Sequence, residues 1–254
     1  MYVTVHYHLV NLFSLRAAPT NAFTARTLPC PTPATIKLAL LAKLIERDAP
    51  GQSAEALATL AQQRLTWLAP LRVGWFAPPL MSISAATMTV LKEDNGKTPL
   101  IRSVGMREYA HFNQSFGLTL GPVTDTARRS DLEDALLRLR ALGVAESLVQ
   151  PLGPPTWSNK APGVADGCVW LTESASQSGP PDESAVPRDG GEAYVVDDLG
   201  RAPRFDRLSL YRPVDADHTP RLGEDRRGVI VTLPLRQRRQ SISGRVLERI
   251  PYHP

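Results

Sequence analysis

A chain of 254 residues, 43% hydrophobic and 21% charged, can bury one large core or two small ones, and 23 prolines against 17 glycines predict many turns and irregular connections. Mean hydropathy is −0.18 and no apolar run approaches the roughly 20 residues of a membrane span, which excludes an integral helical membrane protein. Net charge is +4, but lysine supplies only 5 of the 29 basic residues, and arginine is the cation that grips phosphate as a planar fork and stacks on bases; a GC-rich genome produces the same bias.

In chain order, Tyr2–Val10 alternates, with Val3, Val5, Tyr7 and Leu9 on one face and Thr4, His6 and His8 on the other, as a half-buried strand does. This N-terminus lacks the basic start and long apolar core of a signal peptide. Asn11–Pro31 is a long connection carrying Arg16 and Arg26. Thr32 can cap a helix and Pro33 fits its first turn, with Ile36, Leu40 and Leu44 following at helical spacing. Ser53 starts a second helix that runs to Leu68. Leu71–Ala77 reads as a strand stopped by Pro78-Pro79. Met81–Arg107 is weakly patterned and reads as a long hairpin or an excursion from the sheet, with Asn95-Gly96 as a tight turn. Arg107–Leu120 resumes strand character. Ser130 is placed to cap a helix over Asp131–Leu142, ended by Gly143, and Glu146–Pro151 is a short strand.

The order over residues 1–151 is therefore β-α(α)-β-β-α-β, an α+β, ferredoxin-like (RRM-type) domain with a long excursion between its second and third strands. Residues 152–192, rich in Pro, Gly, Ser and acids, read as an acidic linker or insert. Short strands at Ala193–Val196, Phe205–Tyr211, Gly228–Leu233 and Arg245–Ile250 make residues 193–254 a small β-rich appendage. Charge follows these divisions: 15 basic and 11 acidic residues over 1–150, 2 and 8 over 151–200, and 12 and 6 over 201–254. The last segment holds Arg226-Arg227 and the cluster Arg236-Gln-Arg238-Arg239. A basic–acidic–basic chain suits a polyanionic partner.

Several chemistries have no motif here. There is no glycine-rich phosphate loop, no His-Glu-x-x-His, no paired-cysteine site and no Gly-x-Ser-x-Gly, so no cofactor, metal or catalytic residue is assigned. His6 and His8 share a strand face but lack a nameable third ligand, and read as a solvent-facing pair. Cys30 has no assignable base and reads as structural, and Cys30 with Cys168 makes no disulfide framework, which suits a reduced, cytoplasmic setting. Trp67, Trp75, Trp157 and Trp170 read as core or interface residues. Arg107, Tyr109 and His111 alternate onto one strand face. That face can bind RNA by stacking and phosphate contact, cut it with His111 as acid or base, or be an ordinary exposed strand.

Four stretches carry a family resemblance. They are the first strand running into Leu12-Phe13-Ser14-Leu15-Arg16, and Leu28-Pro29-Cys30-Pro31-Thr32-Pro33-Ala34-Thr35 before the helix Ile36–Ile45. Then come Pro99-Leu100-Ile101-Arg102 with Arg107-Glu108-Tyr109, and Leu139-Arg140-Ala141-Leu142-Gly143-Val144-Ala145-Glu146-Ser147-Leu148-Val149. In this order they resemble the CRISPR-associated RAMP proteins of the Cas-five type, which hold the 5′ end of the guide RNA in Cascade-like complexes. The second stretch is similar to the family's proline-rich entry "PxPPST…GALA", with Lys37-Leu38-Ala39-Leu40 in place of its Gly-Ala-Leu.

The resemblance implies a ferredoxin-like domain that caps one end of a ribonucleoprotein filament, with a thumb at about Pro78–Gly105 packed on the neighbouring backbone RAMP subunit. Implied partners are guide RNA, that backbone subunit and the large subunit, with target DNA only indirect, and no membrane. On that footing Arg16, Arg26, Lys37, Arg102 and Arg107 are expected to neutralise phosphates, while Tyr109 and His111 stack on or hydrogen-bond bases. Most of the family binds RNA without cutting it. One branch cuts precursor RNA with Tyr, Lys and His, and the set Arg107, Tyr109, His111 has Arg where Lys is expected. The alternatives are a metal-independent endoribonuclease centred on His111 and a non-catalytic protein-interaction module.

Overall fold

The computed structural model describes residues 1–15, 24–94, 98–143, 147–172, 191–208, 220–241 and 244–251, with 24–25 and 87–106 described as backbone. The first strand, β1 (Tyr2–Leu9), buries Val3, Val5, Tyr7 and Leu9 and turns His6 and His8 to solvent. A two-residue strand, β2 (Thr24–Ala25), precedes α1 (Pro33–Asp48) and α2 (Ala54–Leu68). Both helices start where their caps lie: the Thr32 hydroxyl accepts from the Thr35 amide, and that of Ser53 from the Ala56 amide.

The chain continues through β3 (Arg72–Phe76), β4 (Leu80–Asp94), β5 (Thr98–Phe112) and β6 (Phe116–Gly121). After a 3₁₀ turn come α3 (Arg129–Leu137), β7 (Val149–Pro151), β8 (Thr156–Ser158) and β9 (Cys168–Trp170). The last part holds β10 (Glu192–Leu199), the single turn α4 (Phe205–Leu208), β11 (Arg226–Leu233), β12 (Leu235–Ser241) and β13 (Gly244–Arg249). Among the described residues no helix is long and apolar enough to cross a membrane.

Two sheets and a ribbon result. The first sheet runs β7-β1-β6-β3-β9, and β8 shares the outer edge of β1 with β7. β1 is antiparallel to both β6 and β7, and β3 is antiparallel to β6. Val5, Leu118, Leu120, Val73 and Trp75 pack from this sheet into one core with Ile36, Leu40, Leu44, Leu132 and Leu136 from the helices. The second sheet runs β12-β13-β4-β5-β2, while β10 and β11 form a separate antiparallel ribbon.

Several expectations are corrected. Arg107–Leu120 is not one strand, because Asn113 interrupts it. Its amide donates to the Leu80 carbonyl at 3.1 Å and its side-chain oxygen accepts from the Leu80 amide at 3.0 Å, so β5 and β6 fall in different sheets. The third helix starts at Arg129 behind a turn capped by Asp125, not Ser130, and ends at Leu137. Leu139 and Leu142 remain buried beyond its end, which is why their spacing imitates a longer helix. Thr156–Ser158 and Cys168–Trp170, expected in a linker, add strands to the first sheet. Phe205–Leu208 is helical rather than extended, and residues 209–211 of that expected strand lie outside the described residues. The base of the 78–105 excursion is core: Met81 and Ile83 are buried, and Leu80–Ser84 pair with β13. Beyond Ser84 on β4 and Met106 on β5, the two strands pair only with each other among the described residues, and the Asn95-Gly96 turn lies outside them.

Two ion-pair systems tie the elements together. Lys37, on the buried side of α1, donates to Asp198 of β10 at 2.7 Å and to the Ala69 carbonyl at 2.8 Å, with side chains 1% and 0% exposed. Asp131, in the first turn of α3, accepts from Arg47 of α1 at 2.9 Å and from Arg64 of α2 at 2.7 Å. Burial pushes the Asp131 carboxyl up, but the hydrogen bonds from both arginines outweigh it and hold the carboxyl below the usual carboxylate range.

Asp198→Ala leaves Lys37 as a buried, uncompensated cation and is expected to cost about 3–5 kcal/mol, read as a lower urea midpoint at constant slope. Asp131→Asn is expected to cost about 1–2 kcal/mol at neutral pH. Because the folded pKa is depressed, this contribution is complete above the unfolded value of about 3.9 and is lost as pH falls through the folded one. The gap between wild type and Asp131→Asn should therefore close below about pH 4.

Candidate nucleic-acid interface

Arg107, Tyr109 and His111 alternate along β5 with the buried Ala110 and Phe112, so they share the outer face of the second sheet. Directly opposed residues of antiparallel strands lie on one face, which extends this set across the sheet. On β4 their partners are Ala86, Ser84 and Ser82. On β13, Gly244 lies opposite Ser84, and Val246 opposite Ser82. On β12, Arg239 lies opposite Val246, and Arg236 opposite Glu248, with Arg238 at the register shift between them.

The face thus has a centre of small side chains between two functional edges. Three inter-strand steps separate β5 from β12, about 14 Å. Gly244 is needed for that flat centre, since a Cβ there would lie 2.4 Å from the Ile83 carbonyl oxygen. All of β12 after Leu235 is exposed, with the Arg236 and Arg238 side chains 60% and 58% accessible. Glu248 is the one carboxylate on this face among the described residues. It sits 3.2 Å from Arg236 and 4.0 Å from Arg238. Arg107 and Arg239 make no ion pair with a described residue, so the face is strongly cationic. Such a surface, with an aromatic and an imidazole at one edge, suits phosphates and unstacked bases.

The expected site residues divide. Arg26 is exposed and directly follows Ala25, which pairs with Arg107, so the long N-terminal connection reaches the same edge. Arg102 lies on β5 opposite Leu91, toward the hairpin tip. Arg16 lies outside the described residues. Lys37 is a correction: it is buried and bonded to Asp198 and Ala69, and cannot reach a solvent phosphate. Sequence patterning predicts no strand at Arg236–Ser241, although Arg-Gln-Arg-Arg-Gln-Ser is the polar composition of an edge strand.

Other candidates are quiet. Cys30 and Cys168 are buried free thiols; burial pushes Cys30 up, and burial with the Asp166 charge pushes Cys168 up to about 12. Among the described residues no three His, Cys, Asp or Glu side chains group as a metal site.

No family model matches the sequence, and no curated protein matches it. In structure the chain is similar to a CRISPR protein from Archaeoglobus fulgidus, with 12% identity, a TM-score of 0.45, and coverage of 98% of this chain and 91% of that one. It is also similar to a chain of a CRISPR RNA-guided surveillance complex, with 16% identity, a TM-score of 0.40, and coverage of 91% and 90%.

Replacing Arg236, Arg238 and Arg239 together by serine removes exposed charge and little packing. It is expected to weaken single-stranded RNA binding and to flatten log K against log salt by about 2. Thermal unfolding should stay unchanged, which separates lost phosphate contact from lost fold.

Proposed function

We propose that the chain is an RNA-binding subunit of a Cascade-type CRISPR interference complex, holding the 5′ end of the guide RNA on the outer face of its second sheet. The observation that carries this reading is the assembly of two sequence-distant basic segments on one surface: Arg107 at one edge, and Arg236–Arg239 at the other. The family resemblance over residues 1–151 supplies the identity of the RNA. The strand order β7-β1-β6-β3, with the helices packed on one face, supports the ferredoxin-like assignment.

On this reading the distal β4–β5 hairpin is the thumb that packs on the backbone subunit, and the domain ends the filament. The RNA is bound and not cut. His111 has Tyr109 and Arg107 on its own strand face and Ser82 opposite it on β4, and among the described residues no second imidazole joins them there to share the proton transfers. Phosphate neutralisation and stacking need no group to move a proton.

The test is co-expression with the other subunits of the complex and recovery of bound RNA. Wild type should retain RNA of uniform length, and Arg107→Glu with Arg239→Glu should lose it while remaining folded. Labelled repeat RNA incubated with the purified chain should stay intact. Discrete cleavage that disappears in His111→Ala, and not in His253→Ala, would replace this reading with the nuclease. Unchanged RNA recovery from the charge-reversed variant would remove the outer face from the site.

A further inference from the structure

Between α2 and the segment that follows β10 lies a cavity of about 610 Å³, which shares no residue with the outer face of the second sheet. Its wall is held by specific bonds. Gln62 of α2 donates to the Pro203 carbonyl at 2.9 Å and accepts from the Phe205 amide at 2.8 Å, so one side chain clasps the loop on both sides of Arg204. The buried Asp225 carboxylate accepts from the Arg204 amide at 2.8 Å. The Gly200 amide donates to the Asp225 carbonyl at 2.9 Å, and the Ala202 amide to the Glu224 carbonyl at 3.1 Å. That approach requires glycine at 200, because a Cβ there would lie 2.0 Å from the Glu224 carbonyl oxygen.

The lining combines two chemistries. Ala69, Pro70 and Leu199 supply apolar surface, Arg201, Arg204 and Arg227 supply guanidinium groups, and no described residue that lines it is acidic. Asp198, behind the wall, is 0% exposed and bonded to both Lys37 and Arg227, so its charge is answered twice and does not repel an anion. Arg227 is committed to that pair. Arg201 makes no ion pair with a described residue, and Arg204 meets Asp206 in an exposed pair, a contact weak enough to give way to a better anion. Both are exposed, and both project from the segment that Gln62 and Asp225 fix in place. A guanidinium grips phosphate oxygens through paired N–H groups, and two of them three residues apart suit a ligand with more than one phosphate. The volume falls within the roughly 300–1,000 Å³ of cofactor-sized sites, well beyond what phosphate alone fills.

We propose that this cavity binds a nucleoside diphosphate, with the phosphates on Arg201 and Arg204 and the sugar and base against Ala69, Pro70 and Leu199. A lone phosphate would leave the apolar floor uncovered, and an apolar ligand would leave both arginines without a counter-charge. The described lining has no aromatic side chain, so size and charge set the ligand class and the base is held by apolar contact. Because the lining comes from α2, the loop after β10 and β11, an occupant bridges the helical layer and the ribbon. Binding therefore stabilises the attachment that Lys37 and Asp198 make from the inside. The site does not depend on the RNA reading.

The experiment is titration calorimetry and thermal unfolding of the full chain with ADP, GDP, CDP and UDP, and with inorganic pyrophosphate and adenosine as fragments. At least one diphosphate should bind and raise the unfolding midpoint with concentration, and each fragment should bind about ten-fold or more weaker than it. Arg201→Ser with Arg204→Ser removes exposed charge and should weaken the nucleotide about ten-fold or more, with ligand-free unfolding and RNA binding unchanged. A single-stranded oligouridylate with hydroxyl ends should not displace the nucleotide. No binding by any of the four at about 1 mM, or equal affinity in the double variant, would overturn the proposal. Pyrophosphate binding as tightly as the nucleotides would reduce the cavity to an anion site, and displacement by the oligouridylate would assign it to RNA. Either result also overturns the nucleotide assignment.

Discussion

The buried pair Lys37–Asp198 ties the ribbon of β10 and β11 to the helical layer. Two opposite charges removed from water are tolerated only when each finds full compensation, and here each does. The Lys37 ammonium has the Asp198 carboxylate and the Ala69 carbonyl, while that carboxylate also takes the Leu199 amide and Arg227. The pair fixes β10 against α1 in one register, since a slip along the strand would strand both charges. β10 pairs along its full length with β11, which ends at Leu233, and only Pro234 separates it from β12. The arginines at 236, 238 and 239 follow directly on that ribbon and are held in the second sheet by β13, which pairs with β4. A lysine buried away from solvent thus anchors the ribbon that leads into three exposed arginines.

The second constraint is the neck between the sheets. Strands β3 and β6 are neighbours in the first sheet, and their chain continuations β4 and β5 are neighbours in the second. Asn113 bridges that junction by bonding Leu80 through its backbone and its side chain, so the pairing survives the break at Pro78-Pro79. The hairpin can then project beyond the last β13 contact at Ser84 while its base stays embedded through Met81 and Ile83. A rigid root with a two-stranded projection is a geometry suited to reaching a neighbour without disturbing the core.

Local signals made much of this legible. The alternation of β1, the caps at Thr32 and Ser53 and the stop at Pro78-Pro79 each depend on residues within a few positions, and each element lies where those residues put it. Failures came where tertiary contacts decide. Leu139 and Leu142 are buried by neighbours rather than by helical periodicity, and Asn113 ends a strand because Leu80 is opposite it. Lys37 reads as an exposed cation until its partner, 161 positions away, is known. The face shared by Tyr109 and His111 was legible from alternation alone. Its continuation onto β12 was not, since it depends on two long-range strand pairings.

Those pairings also separate two basic clusters that look alike in sequence. Arg226 and Arg227 face the acidic end of β10, where Asp197 bonds Arg226 and Asp198 bonds Arg227. Their charge is spent inside the fold, as is that of Arg207 on Asp225 and Glu224. Arg236, Arg238 and Arg239 lie opposite a strand whose outer face offers only Glu248. The acidic residues of β10 therefore do more than lower the net charge. They neutralise one arginine cluster and leave the other, so among the described residues of the C-terminal region the exposed arginines of β12 keep their charge for solvent.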